Sequence, residues 1–311
     1  MKVPLRRRIV RQWPAVPAAG ASSAAEQAWR RSRRGAARWG MAGAALGIAC
    51  SLVVFAPAAW LADAVNDASG GRVLLADARG SVWQGSAVPV LTGGAGSRDA
   101  AALPGRLAWS AALAGAGFEV RLRQDCCLNG TATLRLTPGL GRFMVALLPP
   151  AGGNTAPGGL LAGAVGPGPG ALIGQWPTAW LVGLGTPWNT LQLGGVARLA
   201  SPGLVVERVA GRWRVDGQAE LELRDVSSRL STLDVLGSYR LAVAGSPGAT
   251  AQFTLATVGG ALQLSGAGSA GPNGVRFRGE ARAAAGDEAV LSNLLNIIGR
   301  RDGARSVLSI G

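Results

Sequence analysis

From residue 41 to residue 62 no charged residue occurs, whereas beyond Asp63 apolar and polar positions take turns along the chain. The two textures predict different elements. The uncharged run MAGAALGIACSLVVFAPAAWLA is long enough, at ~1.5 Å per residue, to span a hydrocarbon core ~30 Å thick, and it predicts one transmembrane helix over 41–62. Past it, residues 118–123 (FEVRLR), 131–136 (TATLRL) and 219–224 (AELELR) alternate with a period of two, as half-buried antiparallel strands do. Residues 238–243, 251–257, 261–265 and 275–281 read the same way, and glycine-bearing breaks between most of them supply hairpin punctuation.

Other stretches break this rhythm. Residues 149–170 form a Gly/Pro/Ala tract with neither helical nor strand periodicity, a linker between a first β-rich half at 63–148 and a second at 171–311. Trp83 is followed by Trp109, and Trp213 at the same interval by Tyr239, a loose parallel that leaves open whether the halves are tandem copies. Trp176, Trp180 and Leu184 fall at steps of four, with Pro177 placed for a first helical position, Gly185 for a cap and Pro187 for a stop. Leu291, Leu294, Leu295 and Ile298 lie at i, i+3, i+4 and i+7 between Asp287 and Gly299, predicting an amphipathic helix that caps a sheet, with a last strand at 306–310. The expected fold class is mainly β: one N-terminal transmembrane helix, then a β-rich domain, single or in two tandem β subdomains, with short capping helices.

Charge orients this picture. Ten basic residues and one acid, Glu26, precede Met41, so +9 of the chain's formal +14 sits in residues 1–40. Arginine on one side of an apolar run, with Asp63 and Asp67 on the other, predicts a cytoplasmic N-terminal arm and an exported remainder. Topology accounts for these arginines without nucleic acid, and both the basic arm and the apolar run exceed those of a cleaved signal peptide.

Chemistry is sparse. The chain has no histidine, and its one lysine, Lys2, precedes the apolar run, which removes histidine-based hydrolases, most zinc sites and lysine-centred mechanisms from the exported part. Glu220 and Glu222 share a strand face ~7 Å apart, within reach of a glycosidase pair, but Gln218 and Arg224 beside them read as a solvated face. Adjacent Cys126 and Cys127 can bond each other, pair with another chain or stay thiols, and Asn129-Gly130-Thr131 is a glycosylation triplet expected to be unused. No catalytic residue, cofactor or metal is expected, no small-molecule substrate, and no enzyme. Trp176 and Trp180, with Trp188 nearby, are candidate docking residues for a partner or else a plug for one end of the β domain.

Four stretches resemble type II secretion system protein N. They are Gly80-Ser81-Val82-Trp83-Gln84-Gly85; Trp180-Leu181-Val182-Gly183-Leu184-Gly185-Thr186-Pro187-Trp188-Asn189-Thr190-Leu191-Gln192; Ser228-Arg229-Leu230-Ser231-Thr232-Leu233 leading to Leu236-Gly237-Ser238-Tyr239-Arg240-Leu241; and the end from Phe277-Arg278-Gly279-Glu280-Ala281 to Ile298-Gly299-Arg300-Arg301. The resemblance implies a single-pass protein of the inner membrane with a periplasmic β domain. It implies a non-enzymatic accessory part of the apparatus that moves folded exoproteins across the outer membrane, touching the inner-membrane platform and the outer-membrane secretin. Arg229, inside the third stretch, joins Trp176, Trp180 and Trp188 as a candidate contact. A tethered β protein that binds or handles lipid is the alternative, to be favoured by a continuous apolar concave face and disfavoured by a filled core.

Overall fold

The computed structural model describes residues 19–148, 170–209, 212–246, 250–271 and 274–310. They belong to two compact units, Met1–Phe55 and Ala56–Gly311. The first holds helix α1 (Ala19–Val54), which includes the arginine-bearing stretch from residue 19 to residue 40. The first 18 residues of the expected arm, and all but the last residue of the expected 149–170 linker, lie outside the described residues.

The uncharged run 41–62 does not form one helix, contrary to expectation. α1 ends at Val54, and a separate helix, α2 (Ala58–Ala68), opens the second unit. The break has a local cause: Pro57 offers no N–H to a helix and disfavours helical backbone at Ala56. Sheet contacts begin there. The Val82 N–H donates to the Ala56 carbonyl at 2.9 Å, Pro57 bridges Ser81, and Ala58 is buried. Among the described residues, no helix is long and apolar enough to cross a membrane.

The second unit is built on β-strands: β1 (Val73–Gly80), β2 (Gln84–Thr92), β3 (Ala100–Ala102), β4 (Leu107–Ala114), β5 (Gly117–Arg123), β6 (Thr131–Gly139), β7 (Arg142–Leu148), β8 (Ala171–Pro177), β9 (Leu193–Val209), β10 (Arg212–Ser228), β11 (Gly237–Gly245), β12 (Ala251–Gly259), β13 (Leu262–Gly271), β14 (Gly274–Ala283), β15 (Arg300–Asp302) and β16 (Arg305–Ile310). A 3-10 helix (Thr178–Leu184) and α3 (Trp188–Leu191) lie between β8 and β9, and α4 (Glu288–Ile298) lies between β14 and β15. Every strand pair is antiparallel, and the described strands join in a single open sheet of order β1-β2-β4-β5-β6-β7-β9-β10-β11-β12-β13-β14-β16-β15, with β3 beside β2 and β8 beside β9. Both β-rich halves therefore enter one sheet, joined where β7 pairs β9 from Arg142↔Val209 to Leu147↔Leu204. The parallel between halves does not extend to register, since Trp109 faces Gly85 across β4 and β2 while Tyr239 faces Leu223 across β11 and β10.

Register assigns the faces. Glu119 faces Arg135 and Glu222 faces Arg198 and Arg240, so the charges expected to be solvated form an outer face tied by ion pairs. On it Arg121–Glu119, Arg142–Glu207 and Arg224–Glu222 each approach to 2.7–2.8 Å. The inner face is apolar, and helices cover it in two places. Near the start of the sheet, Ala58 of α2 packs with Ala87 and Trp109, whose indole N–H donates to the Ser81 and Val82 carbonyls at 3.2 Å. Near its end, Leu291, Leu294 and Leu295 of α4 meet Leu236, Tyr239, Leu262 and Ala281. The helix and last strand that the spacing predicts are both present, and the Ser306 hydroxyl locks them together by donating to the Leu295 carbonyl.

Tyr239, the chain's one tyrosine, is 3% exposed and donates its hydroxyl proton to the Leu262 carbonyl at 3.0 Å. Burial pushes this hydroxyl up from its ordinary range. The folded state thus keeps Tyr239 neutral where the unfolded chain would ionise it, and this contribution to stability is complete below about pH 10 and declines as pH rises further. In an alkaline titration, tyrosinate absorbance is expected to appear together with loss of the folded circular-dichroism signal. Ionisation at an ordinary tyrosine pKa with the fold intact would contradict this placement.

Candidate functional site

Two of the stretches singled out in the sequence, 180–192 and 228–233, meet at the end of the sheet where β9 begins and β10 finishes. Their junction is a cleft of about 610 Å³ whose lining includes Val182, Gln192, Ser228, Arg229, Thr232 and Asp234.

The β10–β11 loop is folded by its own serines. The Ser228 hydroxyl donates to the Leu191 carbonyl at 2.5 Å and accepts from the Leu230 N–H at 3.3 Å, and the Ser231 hydroxyl accepts from the Leu233 N–H at 3.1 Å. Such local side-chain bonds hold a turn where sheet pairing stops. Leu230 and Leu233 are packed against the α4 cluster, which leaves Arg229, Thr232 and Asp234 exposed. The sequence SRLSTLD thus alternates anchoring groups with presented ones.

The opposite wall is the 3-10 helix and α3. Here the structure departs from the expected α-helix with an aromatic stripe: Trp176 lies in β8, Pro177 precedes the 3-10 helix, and Trp180 lies inside it. A repeat of three residues per turn no longer stacks positions four apart. The Trp176 indole instead covers Gly174, where an added Cβ would lie 2.8 Å from the ring. Trp180 donates its indole N–H to the Ala101 carbonyl at 2.9 Å, across 79 residues of chain, and Asn189 donates to the Asp99 carboxylate at 3.1 Å, across 90. Gly183 sits so close to β2 and β3 that an added Cβ would fall 2.3 Å from the Leu91 carbonyl oxygen. Gly185 ends the helix as expected, at φ 75° and ψ −158°, a positive-φ backbone that favours glycine but is not the αL conformation of the usual cap. Trp188 opens α3, half-buried. Of the four candidate contact residues, only Arg229 lines the cleft. Trp180 braces its wall, Trp188 lies beyond Gly185, and Trp176 is in the strand before it.

Asp99, Ala101 and Asp234 were not singled out from sequence, and Gly183 only as a member of the 180–192 stretch. Asp99 and Ala101 lie in a stretch without alternation, and only long-range pairing brings them to the helix.

Elsewhere the candidate chemistry is engaged in structure. Glu220 is bound by Arg240 at 2.9 Å and Glu222 by Arg224 at 2.8 Å, both on the outer face. Arg282, then Arg305, hold the Glu280 carboxyl below its ordinary range, and Arg106, then Arg79, do the same for Asp77. Cys126 and Cys127 are bonded to each other. Their loop is stitched to β8, since the Gln175 N–H donates to the Cys127 carbonyl at 2.7 Å and the Asn129 side-chain amide to the Leu172 carbonyl at 3.1 Å. No group of three or more potential metal ligands occurs among the described residues.

The cleft therefore offers an arginine, an acid, hydroxyls and an amide on a rigid frame, an arrangement suited to contact. Neither the curated proteins nor the solved structures include a match to the chain. The model of the type II secretion system protein N family matches residues 71–308, a span that takes in β1 to β15 and most of β16, and the chain belongs to that family.

Proposed function

We propose that this protein is a non-enzymatic, inner-membrane accessory subunit of the type II secretion apparatus. It would support passage of folded exoproteins from the periplasm across the outer membrane through contacts with the inner-membrane platform and the secretin. The observation that carries this reading is the meeting of two family-like stretches in one cleft, with Arg229 presented and the walls fixed by buried bonds. Membrane attachment is supported by the end of α1, where Leu52, Val53, Val54 and Phe55 are 53%, 58%, 59% and 78% exposed. Leu52, Val53 and Val54 turn to different sides of the helix at ~100° spacing, and apolar side chains open to solvent on several sides suit an apolar medium. The helix from Trp39 to Val54 would be about 24 Å long, short of a full hydrocarbon core, so local thinning of the bilayer would have to complete the fit.

A photo-crosslinker at position 229 in cells with an active secretion system is expected to capture platform or secretin subunits, and Arg229→Glu to reduce both capture and exoprotein release. Normal release in a strain lacking the chain, together with no capture, would end this reading.

One observation favours the alternative of lipid handling. Between the two core clusters, inner-face residues Leu136, Val145, Leu204, Val206, Val215 and Val243 are half-buried and belong to neither. Acyl chains laid along them would complete their burial. Phospholipid retained stoichiometrically on the purified chain would favour this reading over the assembly role.

A further inference from the structure

The opposite end of the sheet carries a surface of different character. There β4–β5 and β6–β7 turn back and the β9–β10 pairing reaches Val209↔Arg212, and register stacks the strands of β6–β7 and β9–β10 into rows. The outermost row is Gly139, Arg142, Val209 and Arg212; the next is Pro138, Phe143, Arg208 and Trp213; the third is Thr137, Met144, Glu207 and Arg214. At a rise of ~3.4 Å per residue, the three rows span roughly 7 Å.

Large apolar side chains are left in solvent here. Leu140, between Gly139 and Gly141 at the turn, is 106% exposed; Leu113, on the neighbouring hairpin, is 76%, Trp213 53% and Phe143 42%. Leu140 and Leu113 belong to neither core cluster. Charge here is one-sided: Arg142, Arg208, Arg212 and Arg214 stand against Glu207, which Arg142 engages at 2.8 Å. Among the described residues, Arg208 lies 5.5 Å from the Trp213 ring centre and, like Arg212 and Arg214, makes no ion pair.

We infer that this rim is a docking surface for an anionic lipid bilayer, on which Leu140 and Leu113 enter the headgroup boundary, Phe143 and Trp213 lie at its level, and Arg208, Arg212 and Arg214 meet lipid phosphates. Three features select a bilayer over an acidic protein. The exposed leucines stand on separate hairpins, Leu140 at the β6–β7 turn and Leu113 near the β4–β5 turn. The arginines sit in the three outermost rows, within ~7 Å of the rim along the strands, which matches the 5–10 Å depth over which interfacial segments bury apolar groups. An arginine stacked on tryptophan at the edge of an apolar face pairs the two residue types that anchor proteins at the membrane–water boundary. The surface is independent of the Arg229 cleft, so its test stands apart from secretion-component capture.

The experiment uses the full chain reconstituted into vesicles, with Cys50→Ser and an environment-sensitive fluorophore attached through Leu140→Cys. A second sample carries the fluorophore through Val258→Cys, at a residue 52% exposed at the opposite end of β12. On vesicles containing phosphatidylglycerol, the label at 140 is expected to shift to the blue and to lose its accessibility to iodide several-fold. The label at 258, at the end of the sheet away from the rim, is expected to stay accessible, which separates docking through the rim from any attachment common to both samples. Vesicles of phosphatidylcholine alone, raised salt, or the triple change Arg208→Glu, Arg212→Glu and Arg214→Glu should restore access at 140. Equal accessibility at 140 on both vesicle types would overturn the assignment, and shielding seen only in intact cells would reassign the rim to an acidic protein.

Discussion

Leu294→Ala is expected to destabilise the sheet unit by about 3 kcal/mol, with the midpoint of urea unfolding falling and its slope unchanged. Leu294 is 1% exposed and lies between Leu291 and Leu295 in the cluster that also holds Tyr239 and Leu262. The loss combines the transfer energy of the removed methyl-bearing carbons with that of a cavity that α4 cannot close. Its movement is limited at one end by the Ser306–Leu295 bond and at the other by the chain entering it, where the Ala284 N–H donates to the Ala261 carbonyl at 2.7 Å. Ile297, on the same helix, is 45% exposed, and Ile297→Ala should cost well under half as much. Equal losses at the two positions would mean that α4 does not dock through the leucine face.

That helix was legible because spacing, flanking residues and length agreed over eleven residues. Every alternating segment, from 118–123 to 275–281, also falls in a strand, save Ala261 just before β13, because one side of each meets the inner face and the other carries charge or hydroxyls. β7 and β9 were missed for opposite reasons. RFMVALL is nearly continuous in apolar residues, so periodicity alone does not mark it as a strand. β9 runs through Gly194-Gly195 and Pro202-Gly203, and its register shifts opposite 218–220. There the buried Ser201 hydroxyl bonds the Gln218 carbonyl, repairing the ladder with a side chain. The joining of the halves into one sheet depends on β7–β9 pairing across a tract with no periodicity of its own, so local pattern carries no trace of it. At the cleft, Arg229 was reachable through its motif. The brace behind it was not, because hydrogen bonds spanning 79 and 90 residues leave no spacing to read.

The brace also locates the substitution expected to separate the sheet's integrity from its contacts. Gly183→Ala places a methyl carbon 2.3 Å from the Leu91 carbonyl oxygen and 2.7 Å from the Ala101 backbone nitrogen. Both neighbours are backbone atoms of β2 and β3, paired at Leu91↔Ala101, so neither can rotate aside as a side chain would. The 3-10 helix must therefore lift, lengthening the Trp180–Ala101 and Asn189–Asp99 bonds and moving Val182 out of the cleft wall. Strain of this kind costs about 1–3 kcal/mol, and the larger consequence is geometric. The expected result is a folded protein with native strand content, a modestly lowered unfolding midpoint, and loss of crosslinking from position 229. Gly259→Ala provides the comparison, since a Cβ there meets nothing within 4 Å and its backbone is not left-handed. It should leave both readouts unchanged. If Gly183→Ala retained full capture at position 229, the frame formed by the 3-10 helix would not be what presents this surface, and the β10–β11 loop, already ordered by Ser228 and Ser231, would have to present it alone.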